Sequence, residues 1–324
     1  MQHEARRVDL PGGLTVEPGR APDEATLLHF ALATPRTGAV GCGLEWLGGN
    51  LETEDWRMEA VVQSGRSGDI VWRRAGDLLF LALEWPDDPV ADPREAVEGA
   101  YERLLSVADE AGCRHLLRAW NYLPAINAGD GDAERYRRFC LGRAAALEKL
   151  GYGDGELCAG TAIGSDEPLL RIYLLCAPLP GINIENPRQV SAYRYPRRYG
   201  PRSPSFARAT AVAGANDSML LMISGTASVV GHRSLHVDDV NGQLEEVIRN
   251  LETLLSESAQ QLGRPGLAEF DHASLLRVYV RHARDWPMIE RRLRERWPGI
   301  HLAGLRGDIC RSDLLVEIEA VSRN

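Results

Sequence analysis

The 324-residue chain is almost without lysine: Lys149 is its only one, so 36 of its 37 basic residues are arginine. Schiff-base chemistry, pyridoxal phosphate and a phosphate-loop lysine would each have to use that single residue. Its setting, Ala144-Ala145-Ala146-Leu147-Glu148-Lys149-Leu150, predicts the end of a helix, where a solvated cation complements the helix dipole. Those chemistries are close to excluded. No stretch approaches the roughly 20 apolar residues of a membrane span, and Met1 to Arg7 is not followed by an apolar run of signal-peptide length. A soluble, cytoplasmic protein is expected. With 37 basic against 46 acidic residues, net charge −9, the chain also lacks the basic surface of a non-specific nucleic-acid or anionic-membrane binder.

Paired cysteines are missing too. Cys42, Cys113, Cys140, Cys158, Cys176 and Cys310 show no two- to four-residue spacing, which argues against structural zinc. Five of them read as small buried hydrophobes in a reducing compartment. There is no His-Glu-x-x-His. His232 and His236 are four apart but have no obvious carboxylate partner, so no metal is expected. Gly151-Tyr-Gly-Asp-Gly155 has the wrong spacing for a dinucleotide loop and reads as a helix stop.

What the chain does have is a repeat. Periodicity predicts a helix over Asp92–Ala111, a strand over His115–Pro124, a helix over Asp132–Leu150, and strands near Glu156–Ile163 and Leu169–Ala177. The same order returns as a helix over Val240–Leu262, a strand over Ser274–Val280, a helix over Trp286–Trp297, and strands near Ile300–Ile309 and Leu314–Val321. Leu116-Leu117-Arg118 recurs as Leu275-Leu276-Arg277. The expected fold is α+β, with two tandem units, 1–180 and 181–324, each a sheet with two helices on one face. Gly48-Gly-Asn and Gly65-Arg-Ser-Gly read as turns, and the first 65 or so residues are expected to add strands or a flap to the first unit.

The halves differ at their last strands. Aligning Leu169–Cys176 with Leu314–Ala320 sets Ile172 against Glu317. With a period of two, Val316, Ile318 and Ala320 share one face, and Leu315, Glu317 and Glu319 the other. An acid there fits either a solvated face or a site. Between the units, Arg188 to Arg208 holds six arginines, four aromatic residues and no acid. Arginine forks suit carboxylates, tyrosines supply walls with a hydroxyl, and the prolines stiffen the segment. A solvated basic loop is the plain alternative.

Several segments together resemble the chorismatase family: Arg118–Asn127, Tyr136–Ala144, Asn186 through Phe206, Ile223-Ser-Gly-Thr-Ala-Ser228, and Cys310-Arg-Ser-Asp-Leu-Leu-Val-Glu317. The second unit also resembles the reactive-intermediate deaminase (Rid) fold, which implies two Rid-like units, the C-terminal one carrying the site and opening with segment 186–209. The resemblance implies an enzyme that removes the enolpyruvyl group of chorismate as pyruvate, without metal or cofactor. By similarity Glu317 is the acid-base residue, flanked on its strand by Val316 and Ile318. Arg202 and Arg208 are the expected carboxylate clamp, with Tyr199 as hydroxyl partner and Thr226 beside the substrate. Gly225 and Cys310 resemble the branch that forms 3-hydroxybenzoate, with 4-hydroxybenzoate as a second product, whereas alanines mark the branch that releases a dihydroxycyclohexadiene carboxylate. A Rid-like imine or enamine hydrolase and a non-catalytic small-acid binder are the alternatives. Monomer and homotrimer are both compatible with the residues.

Overall fold

The computed structural model describes residues 14–34, 36, 38–213 and 218–324. Five strands open the chain: β1 (Thr15–Pro18), β2 (Thr26–Ala31), β3 (Val40–Gly41), β4 (Glu45–Gly49) and β5 (Thr53–Arg57). The first unit follows as β6 (Gln63–Ser67), β7 (Ile70–Ala75), β8 (Leu78–Pro86), α1 (Arg94–Glu110), β9 (His115–Pro124), α2 (Arg135–Lys149), β10 (Ala159–Ser165) and β11 (Leu169–Ala177). The second comprises β12 (Ile182–Ile184), β13 (Ala209–Ala213), β14 (Met219–Ala227), the small hairpin β15 (Val229–Val230) and β16 (Arg233–Ser234), α3 (Val240–Leu262), β17 (Leu275–Val280), α4 (Trp286–Arg296), β18 (His301–Arg306) and β19 (Val316–Arg323). None of the described helices is long and apolar enough to cross a membrane.

The α+β repeat holds strand for strand. The first sheet runs β6-β7-β8-β11-β9-β10, and the second runs β12-β13-β14-β19-β17-β18. In each, the strands on either side of the second helix pair in parallel, because a helical crossover returns the chain in the same direction. Arg118 and Arg277 occupy equivalent places. Across the ladders Trp120 stands opposite Tyr173, and Tyr279 opposite Glu317. Tyr173, rather than Ile172, therefore occupies the place of Glu317 in the first unit. The letter alignment, started from Leu169 and Leu314, runs one residue out of step with the ladders.

The N-terminal residues depart from expectation. Strands β1, β5, β2 and β3 form a separate sheet, and β4 adds to the outer edge of β18 in the second unit rather than the first. Gly48 and Gly49 are strand residues and Gly65 lies within β6, while Gly68, at the end of the second segment, does form the turn from β6 to β7. Gly48 and Gly304 pair beneath the Trp286 indole, where a Cβ on either would come within 2.6 Å of it. Glycine here serves close approach, not a turn.

Each sheet buries one face under its own helices, through residues such as Leu104, Phe139 and Leu174 in the first unit and Leu251, Ile289 and Ile318 in the second. The opposite faces meet each other and the N-terminal sheet in one core that includes Trp56, Trp120, Tyr173, Met222 and Tyr279. An ion cluster lies in this core. Glu319 accepts from Arg118 Nη2 (2.7 Å) and Trp120 Nε1 (3.2 Å), and its Oε1 lies 3.1 Å from Arg277 Nη1. Arg277 Nε also donates to Glu54 Oε2 at 2.9 Å. Removing one member strands its partners without water. Arg277→Met is therefore expected to cost about 3–5 kcal/mol in urea unfolding; a loss below about 1 kcal/mol would mean that the cluster holds nothing together.

Candidate active site

Glu317 belongs to the inward face of β19. Its neighbours Val316 and Ile318 point the other way, into the core beneath α3 and α4. They therefore do not form the apolar surroundings expected for it. Its side chain, in a residue only 4% exposed, instead faces a cavity of about 300 Å³ between the two units. Burial pushes its carboxyl up to about 8, the charge of Glu319 adds to the rise, and Arg118 and Arg208 oppose it. At neutral pH such a group holds its proton, as a general acid must.

A β-bulge positions the opposite wall. Between Ile223 and Thr226, β14 carries one more residue than β19 across the ladder, and Ser224 and Gly225 lie within that bulge. The first unit pins it: Gly225 N–H donates to Thr161 Oγ1 at 3.2 Å, and Gly160 N–H donates to Ser224 Oγ at 2.8 Å. A Cβ on Gly225 would strike Glu317 Oε1 and lie 2.7 Å from its Cδ. Glycine is what leaves the carboxyl its present place.

Helix α2 closes the site from the first unit. Tyr136, Phe139, Cys140 and Arg143, spaced along one helical face, line a small recess behind Gly225 and Glu317. Arg143 is 5% exposed, and its Nε and Nη2 have no hydrogen-bond partner. It lies over the Tyr101 ring, but leaving two buried N–H groups unpaired is costly, and an anion placed there would relieve it. Across the main cavity stand Arg208 and Arg311. Arg208 is 4% exposed; Nη2 donates to Tyr195 Oη (2.7 Å) and the Val190 carbonyl (2.9 Å), which leaves Nε unpartnered. Arg311 donates to the His232 carbonyl at 3.0 Å and lies 4.1 Å from the Tyr199 ring centre.

Of the residues singled out in the sequence, Glu317, Cys310, Tyr199, Arg208 and Gly225 line this cavity together. Burial, then the charge of Glu317, pushes the Cys310 thiol upward, so it stays an S–H group. Arg202 is elsewhere: it pairs with Glu148 on α2 and lines a separate pocket. Thr226 is also outside, buried with its hydroxyl donating to the Ser224 carbonyl at 3.0 Å. Lys149 caps α2 and pairs with Glu102, as a solvated cation would. His232 accepts from Arg198 at 3.0 Å rather than joining His236. Sequence reasoning did not select Arg143, Arg311 or Tyr136. Tyr136 and Arg143 were visible as two turns of one helix face, and Arg311 simply follows Cys310.

The proton on Glu317 has a thermodynamic consequence. An unfolded chain loses it near the ordinary value of 4.5, and the native state near 8. Between these the native state binds the extra proton, so this group's contribution falls as pH rises through the window and levels above it. Glu317→Gln removes that slope. Urea unfolding is expected to favour the variant over the parent more at pH 9 than at pH 5; an equal difference at both would mean an ordinary carboxylate.

Residues 54–176 match the family model described as Chorismatase FkbO/Hyg5-like, N-terminal. A protein named chorismatase from Streptomyces rapamycinicus is 37% identical over 83% of this chain and 81% of its own length. A 3-hydroxybenzoate synthase from Streptomyces hygroscopicus is 38% identical over 83% of this chain and 80% of its own. The crystal structure of a chorismatase superposes with a TM-score of 0.79 at 32% identity, covering 95% of this chain and 97% of that one. An inter-unit cavity built around one proton-holding glutamate thus lies in a chain that belongs to the chorismatase family.

Proposed function

We propose that this protein converts chorismate to 3-hydroxybenzoate and pyruvate. The observation that carries the reading is Glu317, a buried carboxyl that keeps its proton while facing a cavity with guanidinium groups on two sides. The relatives named chorismatase and 3-hydroxybenzoate synthase support it. Chorismate carries two carboxylates on a compact apolar frame, and this site offers a cation for each: Arg143 in the recess, and Arg208 with Arg311 across the main cavity.

Glu317 protonates the methylene carbon of the enolpyruvyl ether, which turns the vinyl ether into an oxocarbenium ion. The carboxylate left behind faces that positive charge and stabilises it. The ether oxygen leaves C3 with pyruvate while the neighbouring C4 hydroxyl oxygen closes onto C3 and gives its proton back to Glu317. The three-membered ring then opens at C4, and the C3 hydrogen is lost as a proton while the oxygen gains one, which leaves aromatic 3-hydroxybenzoate. Hydroxybenzoate and pyruvate together carry every atom of chorismate, so neither water nor an oxidant is consumed. Cys310, held as a thiol, supplies a weak S–H donor beside the ring rather than a thiolate nucleophile. The same reading takes the protein as a monomer, because the N-terminal sheet already closes the inner faces of both units.

Incubation with chorismate, followed by chromatography against standards, tests the function. Equal amounts of pyruvate and 3-hydroxybenzoate are expected, with the rate lost by about a thousandfold or more in Glu317→Gln. No turnover would overturn the reading, and a non-aromatic diol would overturn its product. In the parent, kcat should fall as pH rises through about 8, when Glu317 loses its proton. Gly225→Ala should displace the Glu317 carboxyl and shift product toward the diol; an unchanged ratio would separate this glycine from product choice. Arg143→Met should raise KM by about 10–100-fold with a smaller change in kcat.

A further inference from the structure

A second cavity, of about 350 Å³, lies between the N-terminal sheet and the outer strands of the first unit and shares no lining residue with the Glu317 cavity. Its walls are apolar, from Leu28 and Val40 on one side and Val71 and Phe80 on the other. Its charges are unevenly matched. The acids at its rim are engaged: Asp69 lies 3.3 Å from Arg103, and Glu84 accepts from the Tyr173 hydroxyl at 2.6 Å. Its arginines are not. Among the described residues neither Arg66 nor Arg73 has an ion-pair partner, and the half-buried Arg73 has an Nε with no hydrogen-bond acceptor. Desolvation alone shifts the Arg73 guanidinium, downward, with no carboxylate to offset it. His29, fully buried and tied through Nδ1 to Asp55 at 2.6 Å, also lines the cavity and has an unpartnered Nε2.

A guanidinium sunk among apolar walls without a counter-ion costs free energy unless something anionic comes to it. The walls say what else that ligand carries: a flat or compact apolar body able to lie between Phe80 and the aliphatic side chains. We propose that this cavity binds a small aromatic carboxylate, its carboxylate on Arg73 and its ring against Phe80 and Val71. The hydroxybenzoate of the preceding section is of this chemical class, but the site stands on its own residues.

Crystals of the full chain soaked in 4-bromobenzoate would show the ligand by its bromine anomalous signal. A peak in this cavity is expected, and it should vanish in Arg73→Met, which keeps the apolar stem and removes the charge. No peak in the parent, or a peak that survives in Arg73→Met, would overturn the proposal. In solution, Arg73→Met should unfold within a few degrees of the parent and turn over chorismate within about twofold of it. A drop in melting temperature of about ten degrees or more, or a tenfold loss of turnover, would give Arg73 a structural or catalytic duty and sink the assignment.

Discussion

Glu319 holds the molecule together. Two arginines from the two copies of one Leu-Leu-Arg motif, Arg118 and Arg277, converge on its carboxylate, and Arg277 reaches onward to Glu54 of the N-terminal sheet. Three parts of the chain meet at one desolvated point. The cluster is balanced, two guanidiniums against two carboxylates, and that balance governs the site beside it. Glu317 lies next along the same face of β19, where both arginines of the cluster are already spent on Glu319 and Glu54. Its burial and the like charge of Glu319 outweigh the pull of Arg118 and Arg208. Burial does most to keep the neighbouring carboxyl protonated, and the Glu319 charge of the cluster adds to it.

The duplication is symmetric in topology and asymmetric in chemistry. Tyr173 stands in the first unit where Glu317 stands in the second, and its hydroxyl donates to Glu84 with the Gly41 carbonyl also within 2.8 Å. That spends the position on packing against the N-terminal segment. The second unit instead has a bulge in β14, and the edge of the first unit, through Gly160 and Thr161, holds it. One inner face is spent on structural support, and the other lines the Glu317 cavity.

Much of this was legible in residues alone, for identifiable reasons. Helices and strands with strong period, such as Val240–Leu262 and His115–Pro124, fall on their predicted bounds. The duplicated motif announced the two units. Period two separated Glu317 from Val316 and Ile318, but it could not say whether the polar face met water. That depended on a second sheet some 200 residues away in sequence, as the 201-residue separation of Arg118 and Glu319 shows. Composition found the arginine-rich segment; of the two members chosen by the resemblance, Arg208 lines the cavity and Arg202 turns to Glu148, while the buried arginine of the recess is Arg143, in a helix rich in other charges. The glycines of β4 read as turns because a strand glycine under an indole leaves no local trace.

The pairing of β4 with β18 sets the order in which the protein can form. Glu45 and Arg306, joined across it at 2.7 Å, are 261 residues apart. Closing so long a loop is slow, and it cannot happen on the ribosome until β18 itself has been made. Until then the outer edge of β18 has no strand to cover it, and an open edge of that kind invites pairing with another chain. β4 is thus made long before it can settle, and by settling it ends the interval in which the molecule can aggregate through that edge.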